Sequence, residues 1–167
     1  MNIFKNLSLV LLFISIAIIY ACNDNKNTET MQEESNVLIF PQGEKINNGY
    51  FTGDAFLHIL QEKDQNNDFA LGNVTFEPEA RTNWHTHPKG QVLIVTEGKG
   101  WYQEKGKPAQ LIKKGDVINI PESIEHWHGA SADSRMIHIA ITNYLDSENV
   151  TWLQPVTDTE YDEVNKK

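Results

Sequence analysis

The chain contains a single cysteine, Cys22, among its 167 residues, so no intrachain disulfide can form. Basic residues are also scarce, since 14 Lys and Arg stand against 23 Asp and Glu and give a formal charge of −9. A chain of this charge is not expected to bind nucleic acid, or anionic lipid headgroups through charge. Without a disulfide, stability must come from a packed core or a partner subunit. The charge does not argue against a small-molecule substrate.

Long apolar runs are missing except near the start of the chain. Residues 7–19 form an apolar stretch after Lys5; it is too short to span a bilayer and has the length of a signal-peptide core. The stretch ends in Ile-Tyr-Ala-Cys, which resembles a bacterial lipoprotein signal whose cysteine, Cys22, is lipidated. We predict a lipoprotein signal peptide over 1–21 and a protein that is exported and lipid-anchored to a bacterial cell membrane, on its periplasmic or cell-surface side. An uncleaved N-terminal anchor is the alternative.

Residues 22–36 have almost no apolar side chains and are predicted to form a flexible polar tether. Residues 37–167 are predicted to form one domain. Short apolar or alternating runs recur there, separated by turn residues every 8–12 positions, which favours a β-sandwich or barrel over alternating β/α units. Thr157 and Glu160 predict a capping box and a short C-terminal helix. The predicted strands lie within 37–40, 55–60, 72–76, 91–97, 101–105, 110–114, 117–121 and 135–145, with a turn over 98–100.

Histidine is concentrated in one region, since five of the six residues fall between positions 85 and 138. Alternate side chains of a strand share a face, so His85 and His87 point the same way, as do His126 and His128. A single buried histidine is more often a hydrogen-bonded core residue than a ligand. Five together favour a metal site, because each buried ring needs partners for two nitrogens and neutral imidazole is a common metal ligand. The sixth histidine, His58, is expected to be structural or exposed.

The histidine segments resemble two motifs of the cupin family. Residues 85–98, HTHPKGQVLIVTEG, match the first motif, and residues 115–126, GDVINIPESIEH, match the second. The chain departs from the pattern in having Gln91 for a glutamate, Ser123 for a glycine and Ala130 for an asparagine. The resemblance implies an all-β double-stranded β-helix, the cupin or jelly-roll barrel, that binds one divalent metal ion. The implied metal ligands are His85, His87, Gln91 and His126.

Residues 74–101, together with HWHGA at 126–130 and VTDTEY at 156–161, resemble more closely the small single-domain cupins that include bacterial manganese-dependent hydroxynitrile lyases. This resemblance implies manganese as the metal, with iron, nickel, zinc and cobalt as alternatives. It also implies an enzyme, a lyase that cleaves a C–C bond of a small hydroxylated substrate. A metal-dependent dioxygenase using iron, nickel or copper, and a non-catalytic cupin that binds a small ligand, are the alternatives.

A glutamine ligand changes what the predicted site can do. Gln91 binds through a neutral oxygen, so the cation keeps its full charge, and the amide cannot act as a general base. Proton transfer is therefore assigned to His128 or His138, each of which has a structural role as its alternative.

Strand parity also predicts which side chains surround the site. Trp84 and Trp127 are expected to pack in the core, and Arg81 to form a strand-end salt bridge rather than to anchor an anionic substrate. A homodimer or higher homo-oligomer is expected, formed by exchange of the strand at 37–40. The residues predicted to line the substrate pocket are Gly72, Val74, Thr82 and Thr142.

Overall fold

The computed structural model describes residues 38–166. The predicted signal peptide at 1–21, the lipidation site Cys22 and the tether at 22–36 lie outside these residues and stay predictions. Over the described range, none of the helices has the length and apolar character needed to cross a membrane.

The described chain forms twelve strands and one C-terminal helix, so the all-β prediction with a short terminal helix is confirmed. All the strand pairs are antiparallel. The elements are β1 (Glu44–Lys45), β2 (Phe51–Thr52), β3 (Ala55–Gln61), β4 (Phe69–Phe76), β5 (Arg81–Thr82), β6 (His85–Thr86), β7 (Gln91–Glu104), β8 (Gln110–Lys113), β9 (Val117–Ile120), β10 (His126–Ala130), β11 (Met136–Asn143), β12 (Thr151–Trp152) and α1 (Asp158–Asn165).

The long strand β7 belongs to both halves of the barrel. Its first half pairs with β9 and β11, and β11 continues through β4 and β3 to β1. Its second half pairs with β8 and β10, and β10 continues to β5 and β6. Both histidine-bearing strands that follow β7, β10 and β11, are therefore its direct neighbours.

The predicted turn over 98–100 is wrong, because β7 runs through it without a break. Gly98 has a φ of 68°, and a Cβ there would lie 1.8 Å from the carbonyl oxygen of Arg135. A Cβ on Gly100 would lie 2.1 Å from the carbonyl oxygen of Gly129. The two glycines therefore allow neighbouring backbones to approach β7 at the point where it passes between the sheets.

The predicted strand over 37–40 is not formed by its described part, because Leu38, Ile39 and Phe40 form no strand and the first strand among the described residues begins at Glu44. Strand exchange between subunits stays a prediction. Of the five two-residue strands, β5 and β6 lie where strand parity is applied to Thr82, His85 and His87, whereas β1, β2 and β12 escape prediction because so short a run has no measurable periodicity.

Two buried clusters hold the fold together. One joins apolar residues of both sheets, among them Phe76, Leu93 and Met136. The other contains Trp84 and Trp127 with residues of the C-terminal helix. The two tryptophans therefore pack in the core, as predicted.

The C-terminal helix is tied to the strands by polar contacts. Tyr161 donates from its hydroxyl to the carbonyl oxygen of Ala130 in β10, over 2.9 Å. The buried guanidinium of Arg81 pairs with Asp158 at 2.6 Å and lies 4.6 Å from the centre of the Tyr161 ring. The predicted strand-end salt bridge of Arg81 is confirmed. The helix thus braces β5 and β10 from outside.

The first turn of the helix is closed by a capping box. Thr157 accepts from the backbone N–H of Glu160, whose carboxylate accepts from the backbone N–H of Thr157, so the predicted capping box is present. Thr157→Ala should lower the free energy of unfolding by about 1 kcal/mol, measured by urea denaturation. Thr159→Ala, an exposed substitution two positions later, is the control; an equal loss in both variants would contradict a capping role.

Candidate metal centre and cavity

The two sheets enclose a cavity of about 200 Å³. Its wall combines an aromatic side, an aliphatic side and a set of histidines. Strands β4 and β11 supply the largest shares of the lining, and the segment 149–152 contributes part of it. The lining residues are Phe51, Leu57, Ile59, Ala70, Gly72, Val74, Phe76, Thr82, His85, His87, Gln91, His128, His138, Ala140, Thr142, Asn149, Val150 and Trp152.

Five imidazole rings are buried side by side: four line this cavity, and the fifth, His126, packs against His85. The His85 ring centroid lies 4.1 Å from that of His126 and 5.0 Å from that of His87. The His128 centroid lies 5.4 Å from His85 and 5.0 Å from His138. Pairing between β6 and β10 produces the tightest approach, because His85 and His126 are direct partners in the register.

Backbone carbonyls orient three of these rings. Nδ1 of His85 donates to the oxygen of Asn83 over 2.9 Å, and Nδ1 of His126 donates to the oxygen of Ile124 over 2.8 Å. Nδ1 of His87 donates to the oxygen of Asn149 over 2.5 Å. A ring that carries its proton on Nδ1 presents the lone pair of Nε2, the form in which neutral imidazole binds a metal. The Nε2 atoms of His87 and His126 are buried without a hydrogen-bond partner.

The side-chain amide of Gln91 is oriented in a similar way. Its Nε2 donates to the hydroxyl of Thr142 over 2.9 Å, and its Oε1 is buried without a partner. An amide oxygen is a neutral oxygen ligand for a divalent cation. Thr142 thus fixes which end of the amide is free.

The buried rings can also hold a divalent cation by their spacing. One ring nitrogen from each of His85, His126 and His128 lies within 4.8 Å of the others, a trio that has His128 where the sequence prediction has His87 and Gln91. Buried acceptors without partners are rare in proteins and cost about 1–3 kcal/mol each. A cation that accepts their lone pairs removes this cost, so the donor set is that of a divalent metal site.

The comparisons with known proteins agree with this architecture. The family model for the cupin domain matches residues 72–142. The (R)-mandelonitrile lyase of Granulicella tundricola is 45% identical over 112 residues, which span 67% of this chain and 86% of that protein. The chain belongs to the cupin family.

Solved structures share the cupin fold. A cupin-like protein from Thermotoga maritima superimposes with a TM-score of 0.73 at 45% identity, covering 78% of this chain and 98% of that one. A predicted oxalate decarboxylase from the same organism gives a TM-score of 0.55 at 21% identity, over 61% and 91% of the two chains. The second likeness concerns the fold alone.

The remaining predicted residues of this cupin can now be located. Gly72, Val74, Thr82 and Thr142 all line the cavity. A Cβ on Gly72 would lie 2.8 Å from the Leu57 side chain, so the glycine leaves space between β4 and β3. Half-buried His58 lies outside the cavity.

Several cavity residues have no counterpart in the sequence prediction. Trp152 packs against His85 with ring centroids 4.8 Å apart and stacks on Tyr50 at 4.9 Å. Phe51 lies 5.5 Å from Trp152, and Asn149 supplies the carbonyl that orients His87. These residues come from irregular segments or two-residue strands, where side-chain direction cannot be inferred from periodicity. An aromatic residue near a strand end is the only signal the sequence offers.

Burial keeps the rings of this cupin neutral. Loss of hydration lowers the pKa of His126 to about 4 and that of His138 to about 4. Burial also holds the pKa of His85 and His128 well below the usual 6.5, with repulsion from neighbouring rings as a second cause. Burial lowers the pKa of His87, an effect opposed by its bond to Asn149. All five rings are therefore uncharged at neutral pH.

The lowered pKa values predict acid sensitivity of the metal-free protein. An unfolded histidine has a pKa near 6.5, so between pH 6.5 and 4 the unfolded chain binds more protons than the folded chain. The free energy of unfolding therefore decreases as the pH is lowered through this range. His126 and His138, each with a pKa of about 4, should each cost roughly 3 kcal/mol by pH 4. Urea unfolding of chelator-treated protein at pH 7.5 and 5 measures the loss.

The aromatic variant His138→Phe removes one titrating ring and is the control for that prediction. Its unfolding free energy should depend less steeply on pH than that of the wild type. An unfolding midpoint that does not move between pH 7.5 and 5 would contradict the prediction.

Proposed function

We propose that this cupin is a metal-dependent lyase that cleaves the C–C bond of a small hydroxylated substrate of the hydroxynitrile type. Its likeness to the Granulicella tundricola (R)-mandelonitrile lyase, over 86% of that protein, supports the proposal. The observation that carries it is that four neutral histidines and an unpaired amide oxygen line one largely apolar cavity, with a fifth histidine, His126, packed against His85.

The histidines divide into two chemical sets. Nδ1 of His85, His87 and His126 is already bonded to a backbone carbonyl, which fixes the tautomer and leaves one acceptor nitrogen. Nδ1 of His128 and His138 has no such partner. We assign the first set, with Gln91, to the metal, and the second set to proton transfer. Manganese is the proposed metal, from the resemblance to manganese-dependent lyases.

The second set is suited to move a proton. His138 has both ring nitrogens free of partners and lies 5.0 Å, centroid to centroid, from His128. A neutral ring can accept the proton of the substrate hydroxyl as the C–C bond breaks, and the same ring can return the proton to the departing cyanide. The products are then an aldehyde and hydrogen cyanide. A bound divalent cation supplies Lewis acidity that stabilises negative charge developing on the substrate oxygen.

The cavity has the size and polarity for such a substrate. A cavity of about 150 Å³ holds benzene, so about 200 Å³ accommodates an aromatic ring with a short substituent. Phe51, Phe76 and Trp152 offer aromatic faces on the wall. The hydroxyl of Thr82 donates to the backbone oxygen of His128 over 3.2 Å. This bond holds the Thr82 side chain in place on the cavity wall.

A dioxygenase is less well supported. Enzymes of that class in this family generally use a carboxylate ligand as the base, and among the described residues the cavity lining contains no Asp or Glu. Gln91 cannot replace that function because an amide does not accept protons at neutral pH. Oxygen uptake with a flavonol or diketone substrate, without hydroxynitrile cleavage, would reverse the ranking.

Cleavage of mandelonitrile tests the proposed reaction. Manganese-loaded protein should release benzaldehyde, followed by its ultraviolet absorbance, and His85→Ala should reduce the rate to background. The double variant His128→Gln/His138→Gln should lower kcat by about 100-fold or more, the usual contribution of a general base, while retaining manganese. Cleavage at the same rate in wild type and His85→Ala would count against the lyase.

Metal content tests the assignment of ligands. His87→Ala should weaken manganese binding by at least about 100-fold, whereas His128→Ala should leave it nearly unchanged, measured by elemental analysis after equilibrium dialysis. His58→Ala, which removes a histidine outside the cavity, is the control. The reverse order, with manganese lost in His128→Ala and kept in His87→Ala, would transfer the ligand role to His128, whose ring nitrogen lies near those of His85 and His126.

A further inference from the structure

The side chains of the cavity wall carry no charge, so the only charge there would be that of a bound metal ion. Among the described residues, its lining includes no Lys, Arg, Asp or Glu, and its histidines are neutral. The nearby Arg81 is committed elsewhere: it pairs with Asp158 at 2.6 Å and donates to the oxygen of Val156 over 3.2 Å. No side chain of the lining can therefore pair with a substrate carboxylate, and none can repel one.

Charge appears instead in a second, wider hollow of about 820 Å³ that shares Ile59 and Ala70 with the cavity. We call it the outer hollow. Its wall comes from the segment after β3 and the segment after β11. Four carboxylates and one lysine line it, together with smaller polar residues: Glu62, Lys63, Asp64, Gln65, Asp68, Tyr144, Asp146 and Ser147.

The single lysine of the outer hollow is already neutralised. Lys63 forms an ion pair with Asp68, and its Nζ lies 5.3 Å from the centre of the Tyr144 ring. Within residues 38–166, by contrast, the side chains of Glu62 and Asp146 accept no hydrogen bond and pair with no cation. Their negative charge is therefore uncompensated at the exposed wall of the outer hollow.

We propose that the acidic outer hollow discriminates against anionic substrates, so that the cavity receives uncharged hydroxylated molecules rather than α-hydroxy acids. This inference rests on the proposed function and narrows its substrate class. Four neutral ligand groups would leave the charge of a bound divalent cation uncompensated, and such a site attracts anions. Any rejection of carboxylates would then have to come from outside the cavity, and the outer hollow is a charged surface that shares two wall residues with it.

The effect should be moderate and sensitive to salt. A unit charge at about 10 Å in water changes binding about twofold, so removing two carboxylates should strengthen binding of an anion about fourfold. Screening shortens the range to about 3 Å at 1 M ionic strength, against about 30 Å at 0.01 M. The discrimination should therefore disappear at high salt.

The test compares mandelate with mandelamide, which have the same skeleton and differ in charge. Binding of each ligand to the manganese-loaded protein is measured by calorimetry in wild type and in Glu62→Gln/Asp146→Asn. Asparagine tolerates the positive φ of 55° at position 146. The variant should strengthen mandelate binding about fourfold at about 0.01 M salt and leave mandelamide binding unchanged.

The matched control is Asp162→Asn/Glu163→Gln, which removes the same charge from exposed positions on α1, outside the outer hollow. The inference is overturned if Glu62→Gln/Asp146→Asn leaves mandelate binding unchanged, if the control variant shifts it equally, or if neither ligand binds. Stronger mandelate binding in Glu62→Gln/Asp146→Asn, without cleavage of mandelonitrile by the wild type, would contradict the lyase proposal alone. Cleavage of mandelonitrile with unchanged mandelate binding in that variant would contradict this inference alone.

Discussion

Three hydrogen bonds from histidine Nδ1 atoms to backbone carbonyls determine what this site can be. The carbonyls of Asn83, Ile124 and Asn149 hold the rings of their partners and leave acceptor nitrogens facing inward. Six of the nine buried polar side-chain atoms that lack a partner, within the described residues, belong to the histidines and Gln91 of this site. Unpaired buried acceptors destabilise a fold. Three of the six, Nε2 of His87, Nε2 of His126 and Oε1 of Gln91, are acceptors that a divalent cation would satisfy.

The sequence predicts much of this arrangement, because the information is local. A strand has a period of two, so His85 and His87 share a face whatever the rest of the chain does. The same holds for His126 and His128, and burial of all four agrees with it. The corner in β7 is different. Gly98 and Gly100 read as a turn in the sequence, while their actual role depends on backbone from Arg135 and Gly129, distant in the chain.

The segments that complete the cavity are also invisible to local pattern. Trp152 reaches His85 because β12 pairs with β6, a contact between residues far apart in sequence. Asn149 orients His87 through its carbonyl oxygen, a group that every residue possesses. The role of a backbone acceptor therefore cannot be predicted from the residue type. Only the path of the chain from β11 to β12 determines which carbonyl lies there.

Charge is separated in space in this cupin, and the separation has a physical reason. An ionised side chain inside the cavity would be costly to desolvate and would alter the field at the metal ligands. Carboxylates at the exposed outer hollow carry no such cost, yet their field extends over a Debye length of about 10 Å at 0.1 M salt. In the proposed scheme, selection by charge operates outside the cavity, and the proton transfer assigned to His128 or His138 takes place inside it. Neutral Gln91 fits the same scheme, since a glutamate there would return a negative charge to the cavity.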